Sequence, residues 1–245
     1  MSASARDEDG AVPAPPGLAS APNATAGAAA EARQLLRTLK VFEGALKAFD
    51  IQAAPQDPMR LFDDWFRDAV RERNVEPHAM TLASVDAQGC PSVRTLILKD
   101  YDASGLYFAS SARSRKASEL AQRPRVALNF YWRESGRQIR IGGAVLRCSA
   151  QQSAADFAAR SADARAEAML GRQSQPLQRW QDWEDAIGVA RRQLQDEPDC
   201  VAPDWALYLV RPDEIEFWQA DRSRRHERLQ YLRENDGWVR QMLWP

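Results

Sequence analysis

From Ala29 to Phe49 the large apolar residues Leu35, Leu36, Leu39, Phe42, Leu46 and Phe49 recur mostly at three- and four-residue steps, the period of an amphipathic helix. Pro55 and Pro58 interrupt that period. Asp57 before Pro58 joins a favoured cap to a favoured first helical residue, which predicts a second helix through Leu61, Phe62, Trp65, Phe66 and Val70, ending near Asn74. The period then shortens. Segments Ala79 to Val85, Ser92 to Leu98, Leu106 to Ser110, Val126 to Trp132 and Gln138 to Leu146 are short and rich in Val, Ile, Leu, Tyr and Phe, with Asp-, Gly- and Ser-containing turns between them. They read as an antiparallel meander, interrupted by one helix from Arg115 to Gln122 that stops before Pro124. The strands follow too closely for repeated βαβ crossovers, so a small barrel or sandwich is expected. Residues 150–195 are Ala-, Gln- and Arg-rich and read as helical. Beyond Pro203 come strand-like pieces at Ala206 to Val210 and Glu214 to Trp218, then a hairpin from Leu229 to Leu243 around Glu234-Asn235-Asp236-Gly237.

Composition narrows the class. A chain of 245 residues can bury one substantial core. With 33 basic and 34 acidic residues there is no global field to concentrate a polyanion, so any basic site must be local and nucleic acid is not an expected partner. Residues 1–28 are mainly Ala, Pro, Ser and Gly and cannot repay the entropy of ordering, so they are expected to be mobile. Three cysteines, Cys90, Cys148 and Cys200, fit neither a disulfide framework nor a zinc site, and a reducing cytoplasm suits them. No apolar run reaches the roughly 18 residues of a membrane span, and acids near the start argue against a signal peptide. A cytoplasmic protein without membrane association is expected.

Three basic clusters are candidates for chemistry. Arg94 and Lys99 flank an apolar strand at odd spacing, which turns them to opposite faces. Ser110, Arg113, Ser114, Arg115 and Lys116 gather hydroxyls and cations at a helix start, either a phosphate seat or an ordinary capped helix. Arg222, Arg224, His226 and Arg228 follow Glu216-Phe217-Trp218. On a β-segment, Arg224, His226 and Arg228 would alternate onto one face beside Trp218, suiting an anionic ligand, whereas the alternative is a solvated basic loop paired with Asp221 and Glu227. His78 reads as a turn residue. The chain lacks GxGxxG, P-loop and HExxH patterns and any nucleophile-elbow serine, which excludes the commonest dinucleotide, phosphoryl-transfer, zinc-hydrolase and triad chemistries, and no metal site is expected.

Taken in order, Arg94 with Lys99, Ser114-Arg115-Lys116, Phe130-Tyr131-Trp132, Arg137-Gln138-Ile139-Arg140, Arg172-Gln173-Ser174, Ile215-Glu216-Phe217-Trp218-Gln219, Arg224-Arg225-His226-Glu227-Arg228 and Trp238 resemble the pyridoxamine 5'-phosphate oxidase family over about residues 57–245. The resemblance implies a mainly β fold with flanking helices, an FMN-binding split β-barrel in a homodimer with FMN bound at the subunit interface. It divides the chain into a tail (1–28), a helix and linker (29–56) and an oxidase domain (57–245). FMN contacts are implied at Arg94, Thr95, Leu96, Ile97, Leu98, Lys99, Ser110, Arg115, Lys116, Gln138, Gln173, Ser174, Trp218 and Arg228. Arg224 and His226 match the positions that hold substrate over the flavin and carry catalysis. The implied chemistry is hydride transfer from a C–N carbon to the flavin, with dioxygen as acceptor.

The substrate half departs from the pattern. Lys99 and Arg160 match a family grip on the substrate phosphate, but its tyrosine is Asp156 here and its serine is Ala164. Arg160 is followed by Ser161 instead of proline, and a Trp-Gly-Gly run reads Trp205-Ala206-Leu207. A carboxylate in place of a hydroxyl donor repels phosphate. Tyr131-Trp132-Arg133-Glu134-Ser135 is similar to the phenazine-biosynthesis branch, whose members oxidise unphosphorylated reduced heterocycles, although Lys99 does not fit that branch. Three functions are therefore expected in order: an oxidase of a specialised secondary-metabolic heterocycle, a pyridoxine/pyridoxamine 5'-phosphate oxidase, and a non-catalytic flavin-binding module.

Overall fold

The structure is a computed structural model that describes residues 26–42, 44 and 46–245. The chain forms two units, residues 1–43 and 44–245. In the first, the described element is helix α1 (Ala26–Thr38). The expected mobility of the tail falls outside the described residues up to position 25, while residues 26–28 are helical. The helix expected to reach Phe49 stops at Thr38, whose hydroxyl donates to the Leu35 carbonyl at 2.7 Å, a local bond that competes with helix continuation. Phe49 belongs instead to the second unit, where its ring meets Trp65 edge-on at 4.9 Å. The apolar period had merged side chains with unrelated destinations.

In the second unit, helix α2 (Pro58–Arg71) begins as the sequence predicts: the Asp57 carboxylate accepts from the Met59 N–H at 2.9 Å and Pro58 needs no donor partner. Phe62 and Trp65 on its inner face are buried, meeting Phe130 at 5.3 Å and Phe217 at 5.2 Å edge-on. Burying a side chain such as Phe62 contributes about 1.5–3 kcal/mol. Strands β1 (Ala79–Val85), β2 (Pro91–Ile97), β3 (Asp100–Asp102) and β4 (Gly105–Ser111) follow, then helix α3 (Arg115–Gln122), strands β5 (Arg125–Trp132) and β6 (Arg137–Arg147), helices α4 (Ala150–Ala158), α5 (Ala162–Met169) and α6 (Trp180–Asp196), and strands β7 (Trp205–Gln219), β8 (Glu227–Glu234) and β9 (Gly237–Met242).

The nine strands form one antiparallel sheet in the order β2-β1-β5-β6-β7-β4-β3, with β8 and β9 continuing from β7. Among the described residues β2, β3 and β9 each pair with one neighbour, so hydrogen bonding does not close the barrel. Alternation places Met80 and Leu82 of β1, and Val126, Leu128, Phe130 and Trp132 of β5, in one core with Ile139, Ile141, Ile215 and Phe217.

Two differences from the sequence reading shape the site. The pieces expected at 206–210 and 214–218 are one 15-residue strand, because a bulge between Gly142 and Gly143 carries the pairing past Pro212. Gly143 is required there: a Cβ would lie 2.4 Å from the Arg211 carbonyl oxygen. The helical stretch expected over 150–195 is three helices. Between α5 and α6, Gly171 (φ 62°) and Ser174 (φ 69°) turn the chain and Pro176 follows, so Gln173 and Ser174 stand on a loop.

Candidate active site

The first group of polar side chains forms where β4 gives way to α3. Ser114 caps α3, accepting from the Ala117 N–H at 3.3 Å. Lys116 in the first turn is buried and donates to Ser110 Oγ at 2.8 Å and Gln173 Oε1 at 3.1 Å. Burial pushes its pKa down to about 8; the Arg94 charge adds to that shift and Glu119 opposes it. Among the described residues no carboxylate is ion-paired with this ammonium.

Arg94 lies inward on β2, its NH1 donating to Ser84 Oγ at 2.5 Å and its NH2 to Ser92 Oγ at 2.6 Å and Glu119 Oε2 at 3.3 Å. Arg115 Nε donates to Glu119 Oε1 at 2.8 Å. The rest of β2 divides by strand alternation. Thr95 and Ile97 are exposed, Leu96 is half-buried and Leu98 belongs to the core; Lys99, past the strand end, is exposed on the face opposite Arg94.

The second group lies along a row of three strands. Gln138 on β6 is the cross-strand partner of Trp218 on β7, which is the partner of Arg228 on β8. The Trp218 ring lies 4.8 Å from that of His226. Of the two arrangements open for Arg224, His226 and Arg228, the loop is found and not alternation along one strand, because β8 begins only at Glu227. Asp221 organises a tight loop instead: its carboxylate accepts from the backbone N–H groups of Ser223 (2.8 Å) and Arg225 (3.2 Å), and its own N–H donates to His226 Nδ1 at 3.1 Å. Arg224 occupies that loop with φ 65° and is exposed. A neutral His226 therefore carries its proton on Nε2, as assigned from the hydrogen bond. Arg228 Nε donates to Glu216 Oε1 at 2.8 Å and Arg140 NH1 to Glu216 Oε2 at 3.0 Å, so a buried carboxylate orients both.

The third group contains the departures. Trp205 Nε1 donates to Asp156 Oδ2 at 2.7 Å, and the Arg160 guanidinium sits 4.1 Å from the centre of the Trp205 ring. Arg160 NH2 donates to the Ala164 carbonyl at 2.8 Å, and its Nε is buried without a partner. Burial lowers the Arg160 pKa, with the charges of Asp156 and Glu167 opposing the shift. Trp205 also walls a cleft of about 590 Å³ beside Gln173, lined by Leu177, Trp180 and Trp183.

The first and third groups meet near the start of β7, where Ala206 pairs with Ser110 and Trp205 with Ser111. The second lies at the far end, twelve residues from Ala206 to Trp218. That is a strand contour of roughly 40 Å. Glu119, Glu216, Ser84 and Ser92 were not among the sequence candidates. A faint signal existed for Glu119, which stands four residues after Arg115 in a helix; Ser84 and Ser92 join it only through strand pairing.

Comparison with known proteins agrees with this architecture. Residues 66–191 match the family model described as pyridoxamine 5'-phosphate oxidase, and residues 205–245 match the pyridoxine 5'-phosphate oxidase C-terminal dimerisation region. A pyridoxine/pyridoxamine 5'-phosphate oxidase of Rubrobacter xylanophilus is 41% identical over 192 residues, covering 78% of this chain and 88% of that protein. One of Myxococcus xanthus is 38% identical over 191 residues, covering 78% and 93%. Among solved structures, PhzG from Burkholderia lata 383, in complex with tetrahydrophenazine-1-carboxylic acid, superposes with a TM-score of 0.75 at 28% identity, covering 82% of this chain and 100% of that one. Fold and site together define an FMN-dependent oxidoreductase on an antiparallel split barrel. The chain belongs to the pyridoxamine 5'-phosphate oxidase family. No described helix is long and apolar enough to cross a membrane.

Proposed function

We propose that this protein is an FMN-dependent oxidase, acting as a homodimer, whose substrate is a reduced or amino-bearing heterocycle without a 5'-phosphate, of the kind made in secondary metabolism. Bound FMN supplies a hydride acceptor for a C–N carbon of the substrate and passes the electrons to dioxygen, giving hydrogen peroxide.

The residues fit the cofactor. Lys116 is a buried ammonium whose direct partners, Ser110 and Gln173, are neutral oxygens, so its charge suits a phosphate. Arg94 and Arg115 add charge beside it, and Ser174 lies next to Gln173 on the same loop. Gln138 and Arg228 can donate to the polar edge of the ring system, with Trp218 beside them as an apolar surface. Main-chain groups of 95–98 can contribute only as strand β2 presents them, since Leu98 is spent on the core. The roughly 40 Å of β7 contour between the Ser110 and Trp218 ends supports two copies sharing each cofactor, one giving the Lys116 group and the other the Trp218 group. The matched C-terminal dimerisation region supports the same assembly. Arg224 and His226 then hold substrate: His226 is fixed by Asp221 and Trp218, and Arg224 presents a charge from an ordered loop.

The observation that carries the substrate reading is the bond from Trp205 to Asp156 with Arg160 over the same ring. A carboxylate stands where a hydroxyl would donate to phosphate, and the arginine that would grip it already has partners. The aromatic-lined cleft beside Gln173 suits a planar ring system. PhzG, named with a tetrahydrophenazine carboxylic acid, is consistent with such a substrate. A second reading, oxidation of pyridoxine or pyridoxamine 5'-phosphate, is favoured by the names of the relatives at about 40% identity and by Lys99 and Arg160 being present.

Anaerobic bleaching of the bound flavin decides between them. Pyridoxine and pyridoxamine 5'-phosphate are expected to bleach it slowly or not at all, and a reduced heterocyclic carboxylic acid rapidly. Rapid bleaching by the phosphorylated vitamers would establish the second reading. FMN that no candidate reduces would favour a flavin-binding module, and a purified protein with no affinity for FMN would remove the basis of all three.

A further inference from the structure

The corner that holds Lys116 contains one buried acid that the proposed chemistry leaves unassigned. Glu119 is 3% exposed, and its two carboxylate oxygens receive four side chains from three elements. Ser84 on β1 donates at 2.5 Å, Ser92 on β2 donates to both oxygens at 2.9 and 2.8 Å, Arg94 on β2 at 3.3 Å, and Arg115 on its own helix at 2.8 Å. Ser84 and Ser92 are also acceptors for Arg94, so each hydroxyl is wedged between that guanidinium and the carboxylate.

An acid among three cations read as a phosphate site is at first sight counterproductive, because it repels the same ligand. Its surroundings resolve the conflict. The carboxylate is shielded by burial and by two serine hydroxyls. It occupies only Nε of Arg115, whose side chain is 64% exposed and whose terminal nitrogens remain available. It also offsets repulsion among Arg94, Arg115 and Lys116, which would otherwise splay them apart.

We propose that Glu119 is the positioning residue of the cofactor-phosphate site, its carboxylate fixing Arg115 directly and Arg94 both directly and through Ser84 and Ser92, so that both guanidinium groups converge with Lys116 on one phosphate. The inference rests on the reading of Arg94, Arg115 and Lys116 as the phosphate end of the FMN site. A second consequence concerns protonation. Lys116 is faced by Arg94 from β2, by Glu119 and Ser114 from the α3 region, by Ser110 from β4 and by Gln173 from the loop before α6; Glu119 is the negative group among them. Removing that charge makes the lysine easier to deprotonate, so phosphate binding fails at lower pH.

The test is flavin fluorescence quenching with the flavin-stripped full-length chain, titrated with FMN and with riboflavin, which lacks the phosphate, from neutral to alkaline pH. Glu119→Gln is expected to weaken FMN about tenfold or more while leaving riboflavin within about twofold, and to move the alkaline loss of FMN affinity to lower pH. Ser92→Ala, which leaves the carboxylate buried, should produce a smaller loss of the same selectivity. Equal weakening of FMN and riboflavin would show a structural ion pair and overturn the proposal. So would an unchanged FMN affinity in Glu119→Gln when the wild type prefers FMN to riboflavin. A wild type that binds both equally would remove the phosphate reading and the proposal with it. If Glu119→Gln does not fold, Ser92→Ala decides: selective loss of FMN affinity supports the proposal, and no loss or equal loss overturns it.

Discussion

Two basic corners of the barrel, Lys116 at the start of α3 and Arg160 at the end of α4, are built from opposite materials. Lys116 hydrogen-bonds to the neutral oxygens of Ser110 and Gln173, and Glu119 faces it without a direct ion pair. Arg160 stacks on Trp205, donates to the Ala164 carbonyl and feels the charge of Asp156 without a direct ion pair, so an aromatic ring and a carbonyl cover it within the chain. A cation recruits an anion when its own partners leave the charge uncompensated. Matching an arginine to a phosphate grip therefore says little until its neighbours are known. The cofactor corner has kept an open charge, whereas the substrate corner has closed one.

The largest expected effect breaks the open corner. Lys116→Met removes a charged hydrogen-bond donor worth about 1.5–3 kcal/mol, so FMN should bind roughly 10- to 100-fold more weakly by fluorescence titration. The pH dependence provides the sign. Lys116 ionises with a pKa lowered to about 8, so the charged form that attracts phosphate prevails below that pH and is lost as pH rises through it. FMN affinity should fall on the alkaline side in the wild type, and the fall should vanish in Lys116→Met. An alkaline fall that persists in the variant would assign it to another group.

A smaller effect should reopen the closed corner. Asp156→Tyr removes the carboxylate and restores a hydroxyl donor, and pyridoxal 5'-phosphate should bind about tenfold more tightly, the equivalent of about 1.4 kcal/mol and near the low end for a hydrogen bond to a charged group. Equilibrium titration monitored by the ligand's absorbance measures it directly. An unchanged affinity would refute the claim that Asp156 excludes phosphate. FMN affinity serves as the internal control, because neither Arg94 nor Lys116 depends on Asp156 for a hydrogen bond.

How much of this was legible in the sequence depended on the range of the interactions. Helix α3 was read from Arg115 to Gln122 as found, because its limits are local: Ser114 caps one end and Pro124 follows the other. Strand β1 was likewise placed from Ala79 to Val85, between Pro77 and the Asp86-Ala87-Gln88-Gly89 turn, and burial alternates residue by residue along it. The continuity of β7 was hidden because Pro212 looks like a stop unless a bulge opposite Gly143 takes it up. For Arg224 the sequence left a strand and a basic loop open, and the loop is what forms, Asp221 followed two residues later by Ser223 being its local turn signal. Asp156 and Ala164 were singled out as departures and Arg160 as a match, but the partner that Asp156 and Arg160 share, Trp205, lies across 49 residues from Asp156 and is set by the packing of α4 on β7. The roles of Glu119 and Glu216 were missed for the same reason: a glutamate in a chain with 34 acidic residues is ordinary until strand pairing buries it beside its arginines.

The smallest expected effect asks whether the two corners are independent. Trp205→Phe keeps a ring for Arg160 but removes the indole N–H held by Asp156 and weakens the cation–π contact, with an expected loss of about 1–2 kcal/mol in denaturant unfolding. Paired with Asp156→Asn in a double-mutant cycle, it should show a coupling energy of about 0.5–1.5 kcal/mol, since the two side chains share that bond. FMN affinity is the sharper readout. Trp205 is the cross-strand partner of Ser111, one residue beyond the serine that holds Lys116, so the corners are joined by backbone and not by a shared charge. If Trp205→Phe leaves FMN binding unchanged, substrate recognition has been rewritten without disturbing the cofactor. If it weakens FMN as well, Asp156 and Trp205 also brace the β4 end that carries Ser110, and the altered residues answer to cofactor binding as much as to substrate choice.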